Sequence, residues 1–480
     1  MKFLSKNLFF FFTALIFIGA SIFFSFNGLS LLLIFIPIGI LVLYTSLYHT
    51  KHLFLSLALL TPLSINIEEY TEGFGLFLPT EPILFGLMIL YFFYQINSSI
   101  SNKEIWKHPI IIAAIIYFSF VLISSFTSSA PLVSFKFLLS KLWFFIPMVL
   151  LGSFFFSKKE NIRYFLYLFV LGCFVAIVYT LCVHASYSFG EKEGHWVMWP
   201  FFKDHTVYGA IIALVLPLAI GLLVSKKHTA LNYIHYLFII MIILIGLYFS
   251  YTRAAWLSII VALFIFGLIY YKIKFTYIAG FSGLLLAVVF FSWDSIQMEM
   301  ERNKYEHTTE EFGERIQSAA NITTDASNLE RLNRWECAIE MFKEKPFLGF
   351  GPGTYAFEYA RFQRPENLTI ISTNFGNMGN AHSEYLSTLS ENGIFGFISF
   401  MGLVCAIFYS AITLYLAWPK EDLETKILIL SIILSLSTYF FHAILNNFLD
   451  TDKAAVPIWA MCSIIIALKT NLASSKKAIS

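Results

Sequence analysis

Charge is scarce in these 480 residues: Asp, Glu, Lys and Arg together make up 13%, against 58% hydrophobic residues. Soluble domains cannot keep wet surfaces on that composition, so the bilayer must be the main solvent. Cysteine is scarce as well. Cys173, Cys182, Cys405 and Cys462 fall in apolar stretches and Cys337 stands apart, so no disulfide framework is implied. Cys337 could be a nucleophile, but no histidine is near it in sequence and a small buried hydrophobe is the better fit. There is no CxxC pair, no HExxH and no Asp-rich cluster to hold a divalent ion, so no metal and no cofactor is expected. One half does not repeat the other, which removes a common signature of transporters.

What is present is apolar length. Runs at about 8–26, 29–48, 53–67, 80–96, 109–126, 135–156, 163–184, 206–224, 233–250, 254–272, 275–292, 394–417, 426–447 and 454–469 suit a hydrocarbon core about 30 Å thick, the third being the weakest. The fold class expected is an all-α polytopic integral membrane protein of about 12–14 transmembrane helices with one large helical loop. Three segments follow: 1–292, a bundle of about eleven helices; 293–393, the loop; and 394–480, C-terminal transmembrane helices and a tail. Lys2 and Lys6 precede a first run that no small-residue cleavage site follows, which reads as an anchor.

Lys and Arg fix the orientation, because loops on the cytoplasmic side carry their excess. Counted in alternate connections, seventeen fall on one side, among them Lys51, Lys158, Lys159, Lys226 and Lys227, and six in the short connections of the other. Both termini are then cytoplasmic and the large loop lies outside, with the acidic stretch Glu68, Glu69, Glu72. The loop holds nine Lys/Arg against sixteen Asp/Glu, so it offers no general basic patch and nucleic acid is not a partner. Its first part, Asp294 to Glu314, is dense in charge and reads as a solvated helix or mobile stretch.

Ser327-Asn328-Leu329-Glu330 has the S-x-x-E spacing of a capping box and predicts a helix over 328–344, stopped by Lys345-Pro346. Trp335, Ala338, Ile339 and Phe342 form its apolar stripe. Arg334 borders that stripe and Arg331 lies three residues earlier; each suits a surface salt bridge, or a planar fork for carboxylate or phosphate. Gly349-Phe350-Gly351-Pro352-Gly353 is turn chemistry and matches no phosphate-loop pattern. A second helix is predicted over 381–392, with Asn380 as N-cap and Gly393 as its end. His382 falls in its first turn, where the helix dipole favours the neutral imidazole; it reads as a proton acceptor or a structural histidine. Arg253 closes a connection too short for a domain, beside Tyr251 and Trp256. It is an interfacial anchor or a binding residue. Lys203-Asp204-His205 is a further outer cluster before a span.

Three stretches together resemble the O-antigen ligase and polymerase superfamily of bacterial membrane glycosyltransferases: Ser250-Tyr251-Thr252-Arg253-Ala254-Ala255-Trp256; Arg331-Leu332-Asn333-Arg334-Trp335 through Gly351; and His382-Ser383-Glu384-Tyr385-Leu386 through Gly396. The resemblance covers about residues 200 to 460 and implies transfer of a glycan from an undecaprenyl-diphosphate carrier to an acceptor hydroxyl, at the periplasmic face of the inner membrane, without metal or nucleotide sugar. It implies that Arg253 and Arg334, with Arg331 as competitor, hold the diphosphate. His382 would be the general base, and Asp450, His205 and Glu384 would support it. The acceptor would be lipid A core for a ligase, the growing glycan for a polymerase, or a protein for an oligosaccharyltransferase. A lipid-linked oligosaccharide flippase is the reading from another class, and a large outer loop with an arginine helix fits it poorly.

Overall fold

The computed structural model describes residues 35–68, 75–97, 103–273, 326–364 and 379–479. The expected spans 8–26 and 275–292 lie outside these residues, as do Glu69, Glu72 and the charged stretch Asp294–Glu314. The protein is an all-α polytopic membrane protein. Its main helices are α1 (Phe35–Tyr48), α2 (Thr50–Leu63), α3 (Thr80–Asn97), α4 (Pro109–Phe126), α5 (Pro131–Phe155), α6 (Lys159–Ser186), α7 (His205–Val224), α8 (Ala230–Tyr248), α9 (Arg253–Tyr270), α10 (Ala326–Glu344), α11 (Glu384–Ala417), α12 (Leu423–His442) and α13 (Asp452–Ile479). Between α2 and α3 a two-stranded antiparallel hairpin pairs Ile65–Asn66 with Phe77–Leu78.

Among the described residues nine helices are long and apolar enough to cross a membrane: α4 to α9 and α11 to α13. The expected third run, 53–67, yields a helix that stops at Leu63, just past Pro62, and gives way to the hairpin. In α5 the turn Ile146–Leu151 widens to π geometry at Pro147, whose nitrogen has no hydrogen to donate.

Two compact units divide after Leu57. In the first, α1 is apolar apart from Thr45 and Ser46, with the rings of Tyr44 and Tyr48 5.1 Å apart. In the second, α7 is the central helix, buried along nearly all its length and packed on α6, α8, α9 and α12. At one end of this unit Arg163 donates to Glu424 at 2.6 Å and Lys159 pairs with Asp422. At the other end Thr252 Oγ1 donates to the His205 carbonyl at 2.7 Å, and Glu384 N to the Ala443 carbonyl at 2.9 Å. The starts of α7, α9 and α11 and the end of α12 therefore share one end, the one that carries α10.

The expected break at Gly393 is present, although the chain continues as helix on both sides of it and so joins the predicted loop helix to the following span. The residue has φ 64° and ψ −166°. The break frees carbonyls that the glycine-rich turn then uses: Phe350 N donates to Ser390 O at 3.1 Å and Gly351 N to Glu391 O at 2.8 Å. Ile394 N returns a bond to Pro346 O at 2.8 Å, and Ser129 N donates to Phe350 O at 2.8 Å, tying the turn to the α4–α5 connection. A Cβ at Gly393 would run into the Phe347 carbonyl. Gly393→Ala therefore combines a left-handed backbone with a backbone collision; about 1–3 kcal/mol of strain is expected from the first alone. Thermal unfolding in detergent should show a clearly lowered midpoint, whereas Gly402→Ala, with open space around its Cβ, should behave as the parent protein.

Candidate functional site

Helix α10 starts at Ala326, two residues ahead of the predicted range. Its buried face is Asn333, Arg334, Cys337, Ala338 and Met341, while Ile339 is exposed. That is a correction to the expected stripe, turned by about one residue. The cause is tertiary: Phe350, Tyr355, Tyr359 and Ala381 close a small core against Cys337, Ala338 and Met341. Cys337 is a buried hydrophobe, as expected, and burial pushes its thiol up to about 12.

Arg334 is buried, so it is not a surface salt bridge. Its Nε donates to Glu330 Oε1 at 2.7 Å and one terminal nitrogen to the Asn380 carbonyl at 3.2 Å, while the guanidinium lies 5.0 Å from the centre of the Tyr359 ring. Tyr355 donates its hydroxyl to the Arg334 carbonyl at 2.8 Å. The guanidinium lies so close to Gly379 that a Cβ there would collide with it. Arg334 is thus committed to protein partners on several sides. Arg331 is half-buried one turn earlier, and its charge acts on His382, His205 and His442 alike.

His382 does not stand in the first turn of a helix. The N-cap is Ser383, whose hydroxyl accepts from Leu386 N at 3.4 Å, and α11 begins at Glu384. Asn380 is not the N-cap: its side-chain oxygen accepts from His382 N at 3.1 Å, an Asx turn that carries the chain into the left-handed conformation, φ 47°, at His382. The His382 carbonyl accepts from Trp335 Nε1 at 3.3 Å. Burial lowers the imidazole to about 4, and the charges of Arg331 and Arg334 push the same way, against a hydrogen bond to Asn446 and the carboxylate of Asp204.

His205 opens α7 behind the N-cap Asp204, whose carboxylate accepts from Thr206 N at 2.8 Å and Val207 N at 3.0 Å. The His205 ring stacks on His195 with centroids 4.2 Å apart. Arg253 is the first residue of α9, and the neighbouring Thr252 reaches the His205 carbonyl, which joins the arginine's turn to this cluster. Glu384 points elsewhere: Oε1 accepts from Leu449 N at 2.6 Å and Tyr439 Oη at 3.1 Å, bracing the α12–α13 connection. Asp450 faces Lys141 and Lys203, and burial pushes its carboxyl above the usual range.

Sequence reading named Arg331, Arg334, His382 and His205, which the fold gathers on one cluster, and Arg253 one hydrogen-bonded turn away. It passed over His442 and Asn446, buried polar residues four apart at the end of a span. That placement inside an apolar helix end was the signal available.

The family model described as O-Antigen ligase matches residues 236–401, a stretch that contains Arg253, Arg331, Arg334 and His382, and the match supports the O-antigen ligase superfamily for this stretch. An uncharacterized protein of Haemophilus influenzae is 26% identical over 127 residues, which is 26% of this chain and 30% of that protein.

Replacing Arg334 by Met takes the cation away from the buried Glu330 carboxylate, a change that typically costs about 3–5 kcal/mol. Thermal unfolding in detergent should show that loss for Arg334→Met. Glu330→Met combined with Arg334→Met should recover much of it, and a double variant as unstable as the single one would contradict the pairing.

Proposed function

We propose that the protein transfers a glycan from an undecaprenyl-diphosphate carrier to an acceptor hydroxyl at the periplasmic face of the bacterial inner membrane, with lipid A core as acceptor. The observation that carries this reading is the neutral imidazole of His382 set among Arg331, Arg334 and the His205 cluster. In the proposed step the acceptor oxygen bonds to the anomeric carbon as the bond from that carbon to the diphosphate breaks. The electron pair leaves with the lipid diphosphate, and the hydroxyl proton passes to His382. Negative charge grows on the leaving group, and fixed guanidinium groups at a dry boundary stabilise it.

The contacts divide the arginine roles differently from the resemblance. Arg334 is engaged by Glu330, Asn380 and Tyr359, so it suits a positioning role, while the resemblance, not a lack of partners, puts Arg253 and Arg331 forward for the diphosphate. Burial first and guanidinium charge second keep His382 neutral when the donor is absent, and an arriving diphosphate would offset the second of these. His382 then becomes a stronger base when the donor is bound.

The orientation proposed puts the end with Lys158, Lys159, Lys226 and Lys227 in the cytoplasm, together with both termini, and places the loop in the periplasm. The domain division proposed keeps the loop as 293–393 between two membrane parts. A growing glycan or a protein hydroxyl as acceptor would make the protein a polymerase or an oligosaccharyltransferase with the same site. Purified protein given a lipid-linked glycan and each acceptor class should yield the lipid A core product; a glycan-extended or protein-linked product would change the acceptor and leave the site intact.

His382→Ala should lower transfer by about 10²–10⁴-fold, the usual weight of a general base. Arg331→Lys should also impair it, because a point charge does not reproduce a planar fork. Protonation removes the lone pair that the base needs, so kcat/KM for the donor, which reports the donor-free protein, should be lost as pH falls through about 4, not through the ordinary histidine value of 6.5, with the limb of kcat lying higher. Full transfer by His382→Ala would overturn the reading.

A further inference from the structure

At the end of the bundle that carries α10, the α6–α7 connection, residues 187–203, has no part in the proposed transfer step. It is folded onto the turn that bears Arg253. Tyr251, two residues before that arginine, donates its hydroxyl to the Phe189 carbonyl at 2.9 Å, and Phe189 and Phe249 stack with ring centres 4.5 Å apart. His184, near the end of α6, has its Nε2 2.7 Å from the Gly190 carbonyl and packs against the rings of Phe249 and Tyr251. Gly194 lies so close to the Tyr251 ring that a Cβ there would collide with it. Val197, Met198 and Phe202 bury the inner side of the connection.

The residue after Gly194 is His195, an exposed imidazole that stacks on His205 with ring centres 4.2 Å and planes 16° apart. One face of that ring is covered and the other is left to solvent. Next comes Trp196, 47% exposed, its ring set at 76° to that of Tyr187 with centres 5.1 Å apart. Two aromatic rings are thus presented at the surface from a connection pinned to the Arg253 turn on one side and to His205 on the other. A pyranose ring has a face of C–H bonds and a rim of hydroxyls. The face suits the electron-rich face of an aromatic ring, and the rim suits an imidazole, whose nitrogens donate and accept. Rigid rings with a polar group beside them are the usual makings of a small-molecule subsite. In the proposed donor the first sugar is bonded to the diphosphate itself. With the diphosphate at Arg253, the glycan therefore begins at the turn on which this connection is folded.

We propose that the α6–α7 connection is a sugar subsite for the donor glycan, in which His195 and Trp196 take pyranose rings and help to determine which lipid-linked glycan is used. The inference rests on the transfer reading, with the diphosphate at Arg253.

The test uses full-length protein in detergent and compares undecaprenyl diphosphate bearing the transferred glycan with the sugar-free lipid, reading retention by native mass spectrometry and transfer by steady-state kinetics. The parent protein should hold the glycan-bearing lipid more tightly. Trp196→Ala should weaken that retention and raise the donor KM by about 3- to 10-fold, the range for one aromatic contact, while the sugar-free lipid, kcat and the acceptor KM stay near parent values. Trp196→Phe keeps a ring and should recover most of the loss, and His195→Ala should act in the same direction as Trp196→Ala. Equal loss of both lipids in Trp196→Ala is the signature of a residue that only anchors the connection at the membrane boundary, and it overturns the inference. Parent-like retention of both lipids, or a change confined to the acceptor KM, overturns it as well. If Trp196→Ala does not fold, the same comparison in His195→Ala decides. A parent protein that retains neither lipid brings down the transfer reading, whereas one that transfers the glycan but holds both lipids equally brings down the subsite alone.

Discussion

Burial of the Arg334 guanidinium constrains the rest of the site. A cation taken out of water must be met by compensating groups, and the chain supplies them from three separate places: Glu330 one turn away, the ring of Tyr359, and the carbonyl of Asn380. The last is decisive, because it fixes the chain immediately ahead of His382. From Asn380 the Asx turn forces His382 into a left-handed backbone, and Ser383 then starts α11. The imidazole direction is thus set by a chain of contacts that begins on a different helix.

A second set of contacts joins this arrangement to the membrane bundle. The glycine-rich turn that follows α10 donates to carbonyls released at the Gly393 break, and Ser124 Oγ of α4 donates to the Leu348 carbonyl at 2.5 Å. Loop and bundle therefore share hydrogen bonds on both sides of His382. On the proposed reading, this is why a long outer segment can present a base and an arginine with fixed geometry to a lipid-borne donor: neither stands on a free loop.

Much of this was legible in the sequence, and the reason differs from part to part. Composition and run length fix an all-α membrane protein because the hydrocarbon core imposes them. A helix over 328–344 was legible, although α10 begins at Ala326 and so holds Ser327 inside it and not at its cap, and the break at Gly393 was legible from glycine. The N-cap before α11 was misread since Asn380 and Ser383 are both capping residues, and the choice between them depends on Arg334 holding the Asn380 carbonyl. The buried face of α10 was misplaced because its partners, Tyr355 and Tyr359, come from a later turn whose fold no local period predicts. For the same reason the engagement of Arg334 was hidden: it carries the same charge as Arg331, and only three-dimensional contacts show its partners Glu330, Asn380 and Tyr359.

The central claim is that guanidinium groups bind the lipid diphosphate while His382 serves only the proton. It is tested most directly by native mass spectrometry of purified protein with undecaprenyl diphosphate. His382→Ala should retain the lipid as the parent protein does, and Arg331→Ala should lose most of it. Equal retention by Arg331→Ala and the parent protein would contradict the account.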